Sequence, residues 1–400
     1  YTMTVSAADV LEQGNVEPNG DPITLTAKFV GNNNMADGAG TVTVNITAAA
    51  KAERGGTLLG YYDASGLDAA LANSGNAGAT FTLLANVERT TTLIIKVSCT
   101  LDLNGKTIHS TGQYESVLSI SSGATVTIRG DGTVTSEHGN GLSVSGTATL
   151  EGGNFISGAA DYGGVNVRGK LIVTGKNVVM RNTGNGNGLS VNSGTGATAQ
   201  LSAGTYGGGT AAIEIYQGTG TLAGLLNQEG TSRVAYYKDN TTLVTEGLDG
   251  QALPSGSYTV KACTHIFGSS TTCPACGGEA VARVTIGGAV THYGDLPSAW
   301  AAVQGQTADL YLLKSVDAAG VGRWGRLDLA SGSVTLGMAD GVVLSGSSNQ
   351  VIKMIGGELT LNSGTIRNNG TTTIPTGLQV SDGTLRISGG TVEANWAVYI

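Results

Sequence analysis

Charge and aromatic side chains are scarce in this 400-residue chain: 12% of residues are charged, 5% are aromatic, and there are only 6 prolines. Lys and Arg total 21 against 29 Asp and Glu, for a formal net charge of -8, and the basic residues form no cluster. A nucleic acid or an anionic membrane surface therefore finds no electrostatic footprint, and neither is expected as a partner. No apolar run approaches the roughly 20 residues of a membrane-spanning helix, so no span is expected. Tyr1 opens in a strand-like run without a signal peptide and Ile400 closes in another. The chain is accordingly expected to be a fragment whose secretion signal and anchor lie outside it. With few prolines, and glycines that keep no three-residue period, collagen is excluded.

What is present is glycine, 64 residues of it, with abundant Thr, Ser, Val and Asn. That mixture suits many short strands joined by tight turns rather than helices. Hydrophobic residues make up 40% of the chain and alternate within short runs, enough to offset the entropy of ordering and exclude disorder. A chain of 400 residues exceeds one ordinary core, which leaves several domains or an elongated solenoid.

A period decides between them. Apolar pairs two residues apart recur as Leu118 and Ile120, Leu142 and Val144, Val165 and Val167, Leu189 and Val191, Ile213 and Ile215, with first members 24, 23, 24 and 24 apart. A second alternating pair lies between them: Val126 with Ile128, Ala148 with Leu150, Leu171 with Val173, Ala199 with Leu201. A third position follows a glycine turn at Val134, Phe155 and Tyr206. Three strands per repeat of about 24 residues is the grammar of a triangular parallel β-helix, in which each coil stacks one strand spacing above the last. Gly132, Gly153, Asn182 and Asn187 are expected to supply the left-handed backbone conformations that its corners demand.

The grammar returns with Ile352 and Met354, Leu359 and Leu361, Leu378 and Val380, Leu385 and Ile387, Val398 and Ile400. Before each region runs a helical pair and a strand: Leu67, Leu71 and FTLLANV, then Leu296, Trp300 and LYLLKSV. They share one offset (296 − 67 = 310 − 81 = 316 − 87 = 229), which points to duplication. The helices expected over residues 63 to 75 and 295 to 304 would cover the exposed lumen of each first coil. Residues 1 to 51 alternate like strands without this period (YTMTVS, PITLTAKFV, GTVTVNITA), and from Leu225 to Glu279 the period lapses, with SRVAYYKDN and GSYTVKAC as connector strands.

CTLDLNGKTI (Cys99 to Ile108), following the helix and strand, resembles the first coil of pectin-lyase-like β-helix regions in large surface proteins of gut-type Gram-positive bacteria. The N-terminal strands are similar to the end of a bacterial immunoglobulin-like module. The resemblance implies an extracellular, secreted or cell-surface location. It implies architecture more than activity, because this fold carries lyases, hydrolases, adhesins and passive stalks alike.

The sharpest chemical signal is CTHIFGSSTTCPACGG, where Cys263, His265, Cys273 and Cys276 offer three thiolates and an imidazole. CPAC is knuckle spacing for two sulfurs on one tetrahedral zinc, and Cys263 with His265 can complete the set. The stretch is similar to small Cys-rich connectors between modules of Firmicutes surface proteins. A disulfide from Cys263 to Cys273 or Cys276 competes with zinc in an oxidising exterior, and free thiols are a third reading. Four protein ligands leave no open position, so a metal here is structural. Cys99 reads as a small buried side chain rather than a nucleophile.

Glycosidases need a pair of carboxylates flanking the bond, and pectate lyases an acidic calcium cluster plus a base. Asp102, Glu115, Asp131, Glu137, Glu151, Asp161 and Glu214 do not recur at one phase of the repeat, and only His138 with Gly139, and Arg386 with Ile387, echo the polygalacturonase pattern. No catalytic residue is assigned. The RGD triplet at Arg129 to Asp131 reads as a rung corner, and the glycine pairs lack the Lys and Ser/Thr of a phosphate loop. Tyr114, Tyr162, Tyr206 and Tyr216 are the candidate aromatic contacts for a glycan, and packing is their ordinary alternative.

The expectation is an all-β fold of two right-handed parallel β-helix solenoids, each capped by a short N-terminal helix, with a β-sandwich-like N-terminal segment and a small Cys-containing connector. The boundaries are 1–54 for the immunoglobulin-like segment, 55–225 for the first β-helix, 226–280 for the connector and 281–400 for a truncated second β-helix. The expected function is a non-catalytic stalk or adhesin whose partners are glycans or host surface proteins. A polysaccharide lyase or glycoside hydrolase is the alternative, and a phage tail-spike-like receptor binder is third.

Overall fold

A computed structural model describes residues 23–29, 38–44, 48–113, 116–228, 233–321, 324–371 and 374–400, the first two segments by their backbone alone. It is an all-β parallel solenoid that divides into two compact units, Tyr1–Ala262 and Cys263–Ile400.

Period-two alternation in the first unit sends one set of side chains inward, and three parallel ladders stack them. The first aligns Leu93, Leu118, Leu142, Val165, Leu189 and Ile213 as successive Cα partners. In the second, Phe81, Leu101, Ile128, Leu150, Val173 and Leu201 align. The third aligns Val87, Ile108, Val134, Phe155, Met180 and Tyr206. Every one of these side chains is 0% exposed. Each therefore contributes roughly 1.5–3 kcal/mol by leaving water, and the repeat read from the sequence is the repeat of the coils. Of the four corner residues expected to be left-handed, only Gly153 takes a positive φ, 98°, and Gly132, Asn182 and Asn187 do not, so the corners select glycine chiefly on steric grounds. A Cβ on Gly164 would lie 2.6 Å from the Arg181 nitrogen in the next coil.

The expected helical segments contain helices at Gly66–Ala72 and Leu296–Val303. Leu67 and Leu71 are buried, Lys96 N donates to Leu71 O at 3.0 Å, and Arg89 pairs with Asp68 at 2.6 Å. The second helix is N-capped by Asp295, whose Oδ1 accepts from Ser298 N, and the Trp300 indole donates to Asp328 O at 3.0 Å.

A hairpin precedes each helix, which the 24-residue reading did not find. Ala50–Arg54 pairs with Thr57–Tyr62 and, antiparallel, with Thr80–Leu83. Ala282–Ile286 pairs with Ala289–Tyr293 and, antiparallel, with Thr307–Leu312. Both turns are Gly-Gly with positive φ, 58° and 81° at Gly55 and Gly56, 57° and 86° at Gly287 and Gly288. Two successive residues with φ > 0 match the twist of a tight hairpin, and glycine adopts them without a Cβ penalty. Ala50–Arg54 lies inside the segment expected as the immunoglobulin-like flank, yet it belongs to the solenoid sheet. Upstream, Ile23–Phe29 and Gly38–Val44 form an antiparallel pair, and the YTMTVS run falls outside the described residues.

After the last first-unit coil, Thr205–Tyr216 receives Ala252–Ala262 antiparallel, and that strand receives Val234–Lys238. Both strands expected in the connector thus extend the first unit's sheet, and Tyr236 is fully buried with its hydroxyl donated to Leu222 O. The second unit repeats the ladder plan. Leu310, Leu336, Leu361 and Ile387 align, as do Leu327, Ile352, Leu378 and Val398, then Val316, Leu344, Ile366 and Val392.

Candidate metal centre

CPAC folds as a knuckle because its backbone closes on itself. Gly277 N donates to Cys273 O at 2.8 Å, Cys273 N donates to Gly278 O at 2.7 Å, and Gly277 takes the positive φ that the return requires. A bridge between Thr272 and Glu279, with Ala280 N donating to Thr271 O, ties the knuckle to the chain leading into the Ala282–Ile286 strand.

The second pair arrives on Cys263-Thr-His265. His265 N donates to Cys263 Sγ at 3.3 Å, and the His265 backbone takes a φ of 48°. Its ring stacks on Phe267 with centroids 5.7 Å apart and lies against Gly294, where an added Cβ would come within 2.8 Å of Cδ2. Gly294 is therefore part of the seat that aims the imidazole.

The four ligand atoms lie within 4.8 Å of one another, so Cys263, His265, Cys273 and Cys276 can hold a metal ion. Cys263 Sγ is 3.8 Å from Cys273 Sγ, and Cys276 Sγ is 3.2 Å from His265 Nδ1. Sulfurs bonded at about 2.3 Å to one tetrahedral ion stand about 3.8 Å apart, whereas a disulfide brings them to about 2.05 Å. All four cysteines are unbridged.

Burial opposes ionisation of the three clustered thiols and raises Cys263 and Cys276 above the usual range. At Cys273 burial is outweighed by N–H donors from Ala275, Ile266 and Cys276, which bring the thiol below its ordinary value. A cation at the centre would favour the thiolate at all three. Cys99 is a different case: burial alone pushes its thiol up to about 12, which makes it inert at neutral pH.

The described members of the tyrosine set expected as glycan contacts sit in different settings. Tyr206 is wholly buried, stacked under Met180 with its hydroxyl donated to Ala203 O at 2.8 Å, so it is a core residue and touches no ligand. Tyr162 and Tyr216 are half-buried, one in a loop and one at a strand end, and Tyr114 lies outside the described residues.

Most of the acidic residues considered from sequence are scattered. Asp102 pairs with Arg129 at 3.0 Å, which places the RGD arginine at a strand end beside a turn, and Glu214 accepts from Asn187. Glu115 lies outside the described residues. One group escaped the sequence reading. His109 Nδ1 is 2.7 Å from Glu88, its Nε2 is 3.6 Å from Glu137, and His138 lies 3.8 Å from Glu137. Glu88 and His109 are Cα partners in the third ladder, so the signal was their common phase, 21 residues apart.

Comparison with protein-family models, with curated proteins and with solved structures gives no match.

Proposed function

We propose that the chain is a non-catalytic extracellular surface module, a stalk or adhesin that engages glycans, with zinc as a structural ion in the Cys₃His group. The observation that carries the reading is the side of the first ladder turned away from the lumen, where Ser119, Ser143, Asn166, Ser190 and Glu214 stand in register as a polar column, half-buried except for the buried Ser190. A regular polar face on a self-stacking scaffold suits reach and display. In this reading the two runs of parallel coils are two right-handed solenoids of the pectin-lyase-like class, each closed at its start by hairpin and helix. The Cys-containing segment is a connector, and the N-terminal hairpin belongs to an immunoglobulin-like flank.

The test is to incubate the purified chain with plant, mucin and bacterial polysaccharides and score retention and chain length. Retention without shortening supports an adhesin, and neither supports a stalk. Shortening overturns the reading.

A second reading, polysaccharide lyase or hydrolase, draws on the Glu88–His109–Glu137 group, a base between two carboxylates on an outer face. Shortening that is abolished by His109→Ala would establish it.

A further inference from the structure

The second unit carries, on the outer face of its first strands, a recess of about 240 Å³. Arg283, Asp309, Tyr311, Thr335, Gly337 and Asn362 line it. Register explains how they meet: Arg283, Tyr311 and Gly337 form one row across three strands, and Asp309 and Thr335 are partners in the next row. Tyr311 leans over Gly337, where an added Cβ would lie 2.9 Å from the ring, and the Arg283 guanidinium sits 5.0 Å from the ring centroid. Glycine at 337 is what lets the ring lie down.

The duplicated first unit is an internal control. The same rows there hold Lys51, Thr82 and Asp102, with Thr80 and Thr100 beside them. Lys51 is paired with Glu53, and Asp102 with Arg129. Hairpin, helix and ladder are common to both units, so the fold does not demand the aromatic ring or the bare glycine beneath it. At these rows the ring and the glycine belong to the second unit.

We infer that this recess binds one neutral sugar residue of a glycan, with Asp309 and Arg283 hydrogen-bonding neighbouring hydroxyls and the Tyr311 ring as the apolar wall. A sugar hydroxyl both donates and accepts, so an acceptor-only carboxylate beside a donor-only guanidinium satisfies vicinal hydroxyls, with Thr335 and Asn362 adding groups that do both. The size agrees, since about 300 Å³ is the lower bound for drug-sized ligands and the recess is smaller, room for a single ring. Asp309 offsets the charge of Arg283 in the same recess, so an acidic sugar gains no net electrostatic attraction there and a neutral one is preferred. The inference rests on the glycan-binding reading above and gives it a location.

Saturation-transfer NMR on the whole chain tests it, using the methyl glycosides of glucose, galactose, mannose and N-acetylglucosamine, with methyl glucuronide as the acidic comparison. Transfer to at least one neutral glycoside is expected, weakened about tenfold or more by Asp309→Ala or Arg283→Ala. Glu53→Ala, on the duplicated face, is expected to leave it unchanged. Tyr311→Phe keeps the ring over Gly337 and is expected to retain transfer, which separates binding from a purely covering role. Absence of transfer from every neutral glycoside overturns the inference, as do preference for the glucuronide and transfer that persists in the Arg283→Ala/Asp309→Ala chain. Polysaccharide retention that survives in that double variant defeats this site and leaves the adhesin reading standing. Absence of both retention and transfer defeats the two together.

Discussion

Asn182 and Asn368 perform the same task in different units: each is buried at the end of an Arg-Asn strand and uses its carboxamide to hold a corner. Asn182 Nδ2 donates to Ala159 O and Tyr162 O, both at 2.7 Å, while its Oδ1 accepts from Gly186 N. Asn368 Nδ2 donates to Ser348 O and Thr376 O, and its Oδ1 accepts from Gly370 N. Asn182→Ala strands these groups and should cost about 1–3 kcal/mol in urea unfolding. Asn182→Asp should cost more despite its matching shape, because it turns a lone-pair oxygen towards the two carbonyls. An Asp variant as stable as wild type would mean that the carboxamide does not hold the loop.

The stacked lumen makes a sharper prediction. Leu142 and Ile213 are 0% exposed and sit in the same ladder. Leu142→Ala should lower stability by about 2–5 kcal/mol, and Leu142→Asp or Ile213→Asp should unfold the first unit by placing a carboxylate in an apolar interior. Circular dichroism melting measures this, and an unchanged transition in the Asp variants would refute the register.

Metal analysis of the purified chain should return about one zinc per chain. Cys273→Ser with Cys276→Ser should abolish it and leave the first unit's melting unchanged, since all four ligands lie in the second unit. Metal-free protein with a mass two hydrogens lighter than the reduced chain would instead establish a disulfide.

Cys99 should resist alkylation at pH 8 in the folded chain, after chelation has exposed the other three thiols to the reagent. Its folded pKa, about 12, lies above its ordinary value of 9.0, so the fold accommodates the neutral thiol. That contribution to stability is complete below about pH 9 and drains as pH rises towards 12. Mass spectrometry after iodoacetamide reads the outcome, and labelling of Cys99 at the rate of an unfolded control would refute the burial.

The coils were legible because their information is local: Leu118, Leu142, Val165, Leu189 and Ile213, picked out by spacing alone, are consecutive Cα partners. The Cys/His quartet was legible for the same reason. Contacts between coils were harder. His109 meets Glu88 across 21 residues, and His265 finds its seat at Gly294, 29 residues on (294 − 265 = 29). The hairpins escaped because their strands stand outside the coil period, and because their offset differs from that of the helices. Ala50 and Ala282 face Leu83 and Leu312, and 282 − 50 is 232 rather than 229. The paired GG turns were the available signal. Tyr206 satisfied both the lumen pattern and the aromatic-strip pattern, and spacing could not rank one above the other.

Leu142 and Val165 are Cα partners, and so are Val165 and Leu189. Excising one coil between equivalent positions would bring together neighbours that already know how to pair, so the scaffold can gain or lose span only in whole steps. A protein built this way is a ruler with graduations, whose reach evolution can reset by copying or deleting a segment while the fittings at its start stay untouched.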